Sequence, residues 1–147
     1  MTFTTRTGED GENVRLTKET EHALEALVHL GRQKTGAILE AGVLADEIGV
    51  PRPFMSKILQ RLSKAQFVSG HRGNPRGYSL AVAPSRLNVR SVIEAMEGDD
   101  IFHRCIFWSE ECSETNACPL HGVWKNVRPI VRAKMTGTTV ADLAARK

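Results

Sequence analysis

Apolar residues recur at three- and four-residue spacing over Leu16 to Leu30, with Ala23, Leu24, Leu27 and Leu30 on one stripe. That period predicts an amphipathic helix. Thr17 suits its N-cap, and Glu19 and Glu21 meet the positive end of the helix dipole in the first turn. Gly31 to Gly42 is looser. A short helix is expected over Val43 to Ile48, stopped by Gly49 where a left-handed residue is favoured. Val50-Pro51-Arg52-Pro53 is a tight connection into the next helix, and proline suits a helix start. That helix runs to about Ala65 with Phe54, Ile58, Leu59 and Leu62 inward. Arg52, Ser56, Lys57, Gln60, Arg61 and Lys64 take its other faces.

The period then changes. Phe67 to Ser69 and Tyr78 to Val82 read as two short strands around Gly70-His71-Arg72-Gly73-Asn74-Pro75-Arg76-Gly77, a run of turn-formers and cations. A further amphipathic helix is expected over Asn88 to Glu97, with Val89, Val92, Ile93 and Met96 inward and Gly98 closing it. From Asp99 to Ala117 periodicity disappears. From Pro119 a longer stripe resumes, with Leu120, Val123, Trp124, Val127, Val131 and Met135 at helical spacing. Pro129 inside it should kink or shorten the helix. That stripe exceeds what a small head needs for its own core, and it suits association of two protomers. Thr139 to Ala145 is expected as a last short helix capped by Thr139.

A short helix, a tight turn, a second helix with a basic outer face and a basic hairpin make the winged helix-turn-helix pattern. The expected fold is mainly α with a small β-hairpin wing: a winged helix-turn-helix head plus a long C-terminal dimerisation helix. The expected organisation is a disordered tail over 1–13, a DNA-binding head over 14–98, a cysteine-bearing loop over 99–118, and over 119–147 the dimerisation helix with the short helix.

At 147 residues, 41% hydrophobic and 25% charged, the chain has the composition of an ordinary globular protein. No apolar run approaches the roughly 20 residues that cross a bilayer, and Met1 to Asn13 has no apolar stretch to serve as a secretory signal or anchor. The net charge of +3 matters less than its distribution. Between Ile48 and Ile93 there is no acid, while Arg52, Lys57, Arg61, Lys64, Arg72, Arg76, Arg86 and Arg90 all fall there. A single-sign segment of this length favours a polyanion, although each cation alone reads as a solvated surface residue.

In a helix-turn-helix the second helix presents its N-terminal part to base edges. Arg52, Ser56 and Lys57 are expected nearest the bases, with Pro53 fixing the entry. Arg52 is the first choice for direct readout, because arginine donates twice to guanine. Gln60, Arg61 and Lys64 are expected at phosphates, and His71, Arg72 and Arg76 on the wing at the backbone or the adjacent minor groove of double-stranded DNA.

The three cysteines cannot all pair in disulfides, which argues for a reducing cytosol with thiolates kept as ligands. Their spacing is Cys105-x6-Cys112-x5-Cys118-x2-His121. Three thiolates and an imidazole suit either tetrahedral zinc or an iron–sulfur cluster. Structural zinc favours tighter knuckles, and wide gaps suit a larger object. Phe102, Phe107 and Trp108 nearby would limit solvent access to it. A nucleophile would need a partnered base and a pocket, and no triad or oxyanion pattern accompanies these residues. Inert buried cysteines fit poorly in so polar a loop.

With these residues on the page, Val14 to Leu143 resembles the IscR/NsrR-type winged-helix iron–sulfur regulators, the Rrf-two family. The matching stretches are Arg15-Leu16-Thr17-Lys18-x-Thr20-Glu21, Gly49-Val-Pro-Arg-Pro-Phe54 with Ile58-Leu59-Gln60-Arg61-Leu62, and Val89 to Gly98. To these add the three-cysteine loop, Cys118-Pro-Leu-His121 and Thr138-Thr139-Val-Ala-Asp142-Leu143. The resemblance implies a cytoplasmic homodimeric repressor or activator, with no small-molecule substrate and no enzymatic activity. It implies a cluster bound at Cys105, Cys112 and Cys118 with one non-cysteine ligand. His121 stands where IscR-like members complete a 2Fe–2S site, the favoured form. Glu21 stands where an acid of the partner subunit completes a 4Fe–4S site in NsrR-like members. The chain departs from the family in three places. Proline and arginine interrupt the wing's glycine run, the first cysteine gap is six residues instead of the commoner five, and thirteen residues precede the usual start.

Overall fold

The computed structural model describes residues 16–98 and 119–146. Cys105, Cys112, Cys118 and the N-terminal tail lie outside the described residues.

Helix α1 spans Lys18–Gly31 and starts as its cap predicts, the Thr17 hydroxyl accepting from Thr20 N at 3.2 Å. It buries Thr20, Ala23, Ala26, Leu27 and Leu30, so Ala26 replaces the half-buried Leu24 on the inner stripe. Helix α2, Ala41–Ile48, begins two residues before the sequence suggested and ends at Gly49 in the left-handed conformation, φ 86°. Helix α3, Arg52–Lys64, follows after the turn. Its core face is Met55, Ile58, Leu59 and Leu62. Phe54, expected inward, is half-exposed and sits edge-on to the His22 ring, centroids 6.0 Å apart. Both residues satisfy a helical stripe from Ile58 onward, and it is the unbranched, flexible methionine that fills the interior.

Strands β1 (Val68–His71) and β2 (Gly77–Leu80) form the antiparallel wing, paired from Val68 with Leu80 to His71 with Gly77. The pairing lies closer to the tip than the hydrophobic pattern suggested. It extends to a third segment: Leu39 N donates to Tyr78 O at 2.9 Å and Tyr78 N to Leu39 O at 2.8 Å. The stretch before α2 thereby braces the wing. Helix α4, Val89–Glu97, is capped by Asn88, buries Val89, Val92, Ile93 and Met96, and ends at Gly98 as expected.

Helix α5, His121–Thr136, continues through Pro129 and is not shortened by it. Its described residues include none that is buried. Met135 docks against Val89 and Ile93 of the head, whereas Leu120, Val123, Val127 and Ile130 are exposed, Val123 by 62% and Ile130 by 69%. Helix α6, Val140–Ala144, carries the predicted Thr139 cap as a full capping box with Asp142. It returns to the head: Val140 is buried in the main core, and its N–H donates to Leu87 O at 2.8 Å. Arg32 donates to the carbonyls of Ala144 and Arg146 at 3.0 and 2.7 Å, satisfying acceptors at the end of that helix. Among the described residues, no helix is long and apolar enough to cross a membrane.

Candidate nucleic-acid interface

Four-residue steps along α3 place Arg52, Ser56, Gln60 and Lys64 in one row, because residues four apart share a helix face. The wing stands beside that row. Between them lies an open recess of about 1150 Å³, lined by Arg52, Ser56, Gln60 and Lys64 from the helix and by His71, Arg72 and Arg76 from the wing. Most of the residues singled out in the sequence thus fall on one surface. Pro53 and Lys57 are exposed on a neighbouring part of α3 and do not line the recess.

Arg61 is placed elsewhere. Its Nη1 lies 2.9 Å from Glu19 Oε2 on α1, and its Nη2 donates to Met96 O on α4 at 2.8 Å. The guanidinium joins three helices, and Arg61, expected at a phosphate, does not line the recess.

Sequence reasoning missed Glu40, Tyr78 and Gly42, which also line the recess. Glu40 is the N-cap of α2 and the one acid among the recess residues; with that helix expected to start at Val43, its position went unnoticed. Gly42 matters for its missing side chain. A Cβ there would lie 2.6–2.8 Å from the Arg52 guanidinium, so glycine alone leaves room for that group against α2. In the wing, His71 Nε2 lies 2.8 Å from Ser79 Oγ, and Ser79 is buried. Gly77 has φ +140°, and a Cβ on it would lie 2.6 Å from the Leu39 carbonyl carbon.

The metal candidates are only partly visible. His121 is the first residue of α5, half-buried, with its Nε2 atom out of solvent contact. Glu21 faces Lys18, Oε1 to Nζ 3.2 Å, near the start of α1. Among the described residues, no group of three or more His, Cys, Asp or Glu could hold a metal ion. A metal site on this chain would have to draw on Cys105, Cys112 and Cys118, which lie outside the described residues. His121, three residues after Cys118 with a sheltered ring nitrogen, fits as a fourth donor to a thiolate set.

The segment that carries those cysteines departs from a firmly held point. Glu97 Oε2 accepts from Thr17 N at 2.9 Å, Thr17 Oγ1 at 2.8 Å and the buried Thr20 Oγ1 at 2.6 Å. Three donors to one carboxylate oxygen, partly shielded from water, fix the last turn of α4 to the first turn of α1.

A family model described as Rrf2, iron-dependent transcriptional regulator, matches residues 16–146. A protein of Aquifex aeolicus classed as an HTH-type transcriptional regulator is 29% identical over 124 residues, 83% of this chain and 85% of its own length. A Mycobacterium tuberculosis protein of the same description is 28% identical over 131 residues, 89% of this chain and 81% of its own. Among solved structures, CymR, the global cysteine regulator of B. subtilis, gives a TM-score of 0.77 at 19% identity, covering 90% of this chain and 98% of that one. IscR of T. potens gives 0.68 at 19% identity, covering 88% and 85%. At those identities the likeness to the solved structures is one of fold.

Proposed function

The chain belongs to the Rrf2 family of transcriptional regulators, and from that premise we propose that it is a homodimeric, cytoplasmic DNA-binding regulator whose grip on an operator is set by an iron–sulfur cluster. The observation that carries the DNA half is the recess. Arg52, Lys64, Arg72 and Arg76 surround a helix row whose middle members, Ser56 and Gln60, are neutral hydrogen-bonding residues. Cations at the rim meet phosphates, and uncharged donors and acceptors inside meet base edges. Pro53 and Lys57, exposed on the same helix, and His71 on the wing complete the contact set.

The cluster would be held by Cys105, Cys112, Cys118 and His121, with Glu21 of a partner subunit as the alternative fourth ligand. Three thiolates with one imidazole favour the 2Fe–2S form over 4Fe–4S. Such a group supplies an electron-accepting, chemically labile centre. The chain's own residues would convert its state into DNA affinity. Glu97 holds the root of the cysteine segment on Thr17 and Thr20, and Arg61 joins the neighbouring Met96 carbonyl to α3. A displacement at that root is therefore felt by the reading helix. Two arrangements of unequal DNA affinity are what such a switch requires.

Anaerobic purification followed by iron and sulfide quantitation tests the sensor, with operator binding measured on loaded and cluster-free protein. The expected result is a coloured protein with matched iron and sulfide and different affinity in the two states. Replacement of Cys105, Cys112 and Cys118 together should give the cluster-free affinity under all conditions. Protein free of iron and sulfide after reconstitution would refute the sensor while leaving the DNA-binding half intact.

A further inference from the structure

Arginine near the start of a reading helix ordinarily suggests a bidentate contact to guanine. Here the side chain is that of Arg52, the first residue of α3. Its guanidinium lies against Gly42, in the first turn of α2, where any side chain at that position would meet it at 2.6–2.8 Å. In a helix-turn-helix it is the first helix of the pair that crosses the sugar–phosphate backbone. Arg52 is thus withdrawn from the row toward the element that lies over phosphates. The charge also points there. A cation against the first turn of a helix sits at the positive end of its dipole, an arrangement that improves when an anion is shared between them.

From this placement we infer that Arg52 is a backbone anchor seated by Gly42, contacting a phosphate and not a guanine edge, and that Gly42 is the residue that positions it. This deepens the DNA-binding reading and rests on it. A consequence is that base preference falls to the uncharged residues one and two turns further on, Ser56 and Gln60, which share the recess. Gly42 acts through Arg52, so it is a positioning residue. Adding one methyl group there should swing a flexible side chain away while leaving the surrounding backbone in place, since all three nearest atoms are the far end of Arg52.

The test uses the full chain. A preferred duplex is selected from a random DNA pool, and affinities for it and for every single-base variant are measured by anisotropy at several salt concentrations. Arg52→Ala should weaken binding to all duplexes by the same factor, roughly tenfold for a lost charge-assisted contact. The slope of log affinity against log salt should become shallower by about 0.9, one phosphate contact. Gly42→Ala should reproduce part of that loss in the wild-type background and add nothing in the Arg52→Ala background, the signature of one shared interaction. Thermal melting shows whether each variant is folded; if Gly42→Ala is not, the salt slope and base profile of Arg52→Ala still decide. A variant Arg52→Ala that flattens preference at one base pair with an unchanged salt slope would overturn the assignment. So would additive losses in the double variant. Failure of the wild type to enrich any duplex would overturn the DNA-binding reading itself, and the assignment with it.

Discussion

Arg61 Nη2 donates to the main-chain carbonyl of Met96 at 2.8 Å, and this bond links α3 to the last turn of α4, before the cysteine segment. The other end of the same guanidinium meets Glu19 Oε2 at 2.9 Å. A planar fork spans two acceptors on different helices in a way that a lysine ammonium cannot. Since both partners are partly solvated, the ion pair itself contributes little, and the bond to the carbonyl contributes most.

Arg61→Ala should therefore lower unfolding stability by about 1–2 kcal/mol, read as a shift in the urea midpoint at unchanged m-value. Arg61→Lys should restore only part of it. The salt slope of DNA binding should stay at the wild-type value in both, because the guanidinium is engaged by Glu19 and the Met96 carbonyl away from the recess. A slope shallower by about 0.9 would return Arg61 to the phosphate contacts that its sequence position suggested.

Met55 and Phe54 separate in the same way. Met55 is fully buried, whereas Phe54 is half-exposed at the edge of the core. Met55→Ala should cost about 2–5 kcal/mol, the range for emptying a buried aliphatic site. Phe54→Ala should cost clearly less, even though it removes more atoms. Chemical denaturation of the two variants decides the ranking, and a larger loss for Phe54 would reverse it.

These two residues also show where the sequence stops being informative. The Thr17 and Thr139 caps were legible, because each acts on a donor three residues away, and the Gly49 and Gly98 stops are equally local, whereas Asn88, expected as the first helical residue, is itself the cap. The α4 stripe was legible in full, since Val89, Val92, Ile93 and Met96 admit one inward face. Phe54 and Met55 are adjacent and both fit the stripe, so only the shape of the interior chooses between them. Arg61 looks like any other cation until Glu19 is brought beside it from another helix. Gly42 is invisible for the same reason, its meaning lying in Arg52. The basic character of the recess was legible from charge, as a segment without acids has little choice about the sign of its surface; the recess itself was not. Glu40, just outside that segment, is the exception that folding adds.

Gly77 gives the wing its most sensitive position. With φ +140° and the Leu39 carbonyl standing where a Cβ would be, a side chain there is both strained and obstructed. Gly77→Ala should break the pair of hydrogen bonds between Leu39 and Tyr78 and release the wing from its brace. Backbone strain of this kind costs about 1–3 kcal/mol. The head should remain folded, as its core is helical, while DNA affinity falls for all sequences alike. Hydrogen exchange at the Tyr78 and Leu39 amides provides the direct check. Unchanged protection at both would show that the contact yields without consequence.

Leu120, Val123, Val127 and Ile130 are spaced three, four and three residues apart, the alternation of a two-helix seam, and all four are exposed in the single chain. Met135 further along the helix is already used against the head, so the seam is a separate face. Left in water, exposed apolar rows of this length promote association, and pairing with the same row of a second copy removes both at once by symmetry. Val123 and Ile130 are the most exposed members and belong to neither core cluster of the described residues, so their replacement should leave the head folded. The double variant Val123→Lys with Ile130→Lys should then be monomeric by sedimentation at concentrations where the wild type sediments as the proposed dimer. Its melting temperature should lose the dependence on protein concentration that a dimer shows. Operator affinity should drop steeply, because two half-sites are no longer engaged by one particle, whereas binding to a single half-site should persist. A dimer that survives both lysines would place the association surface on another part of the chain.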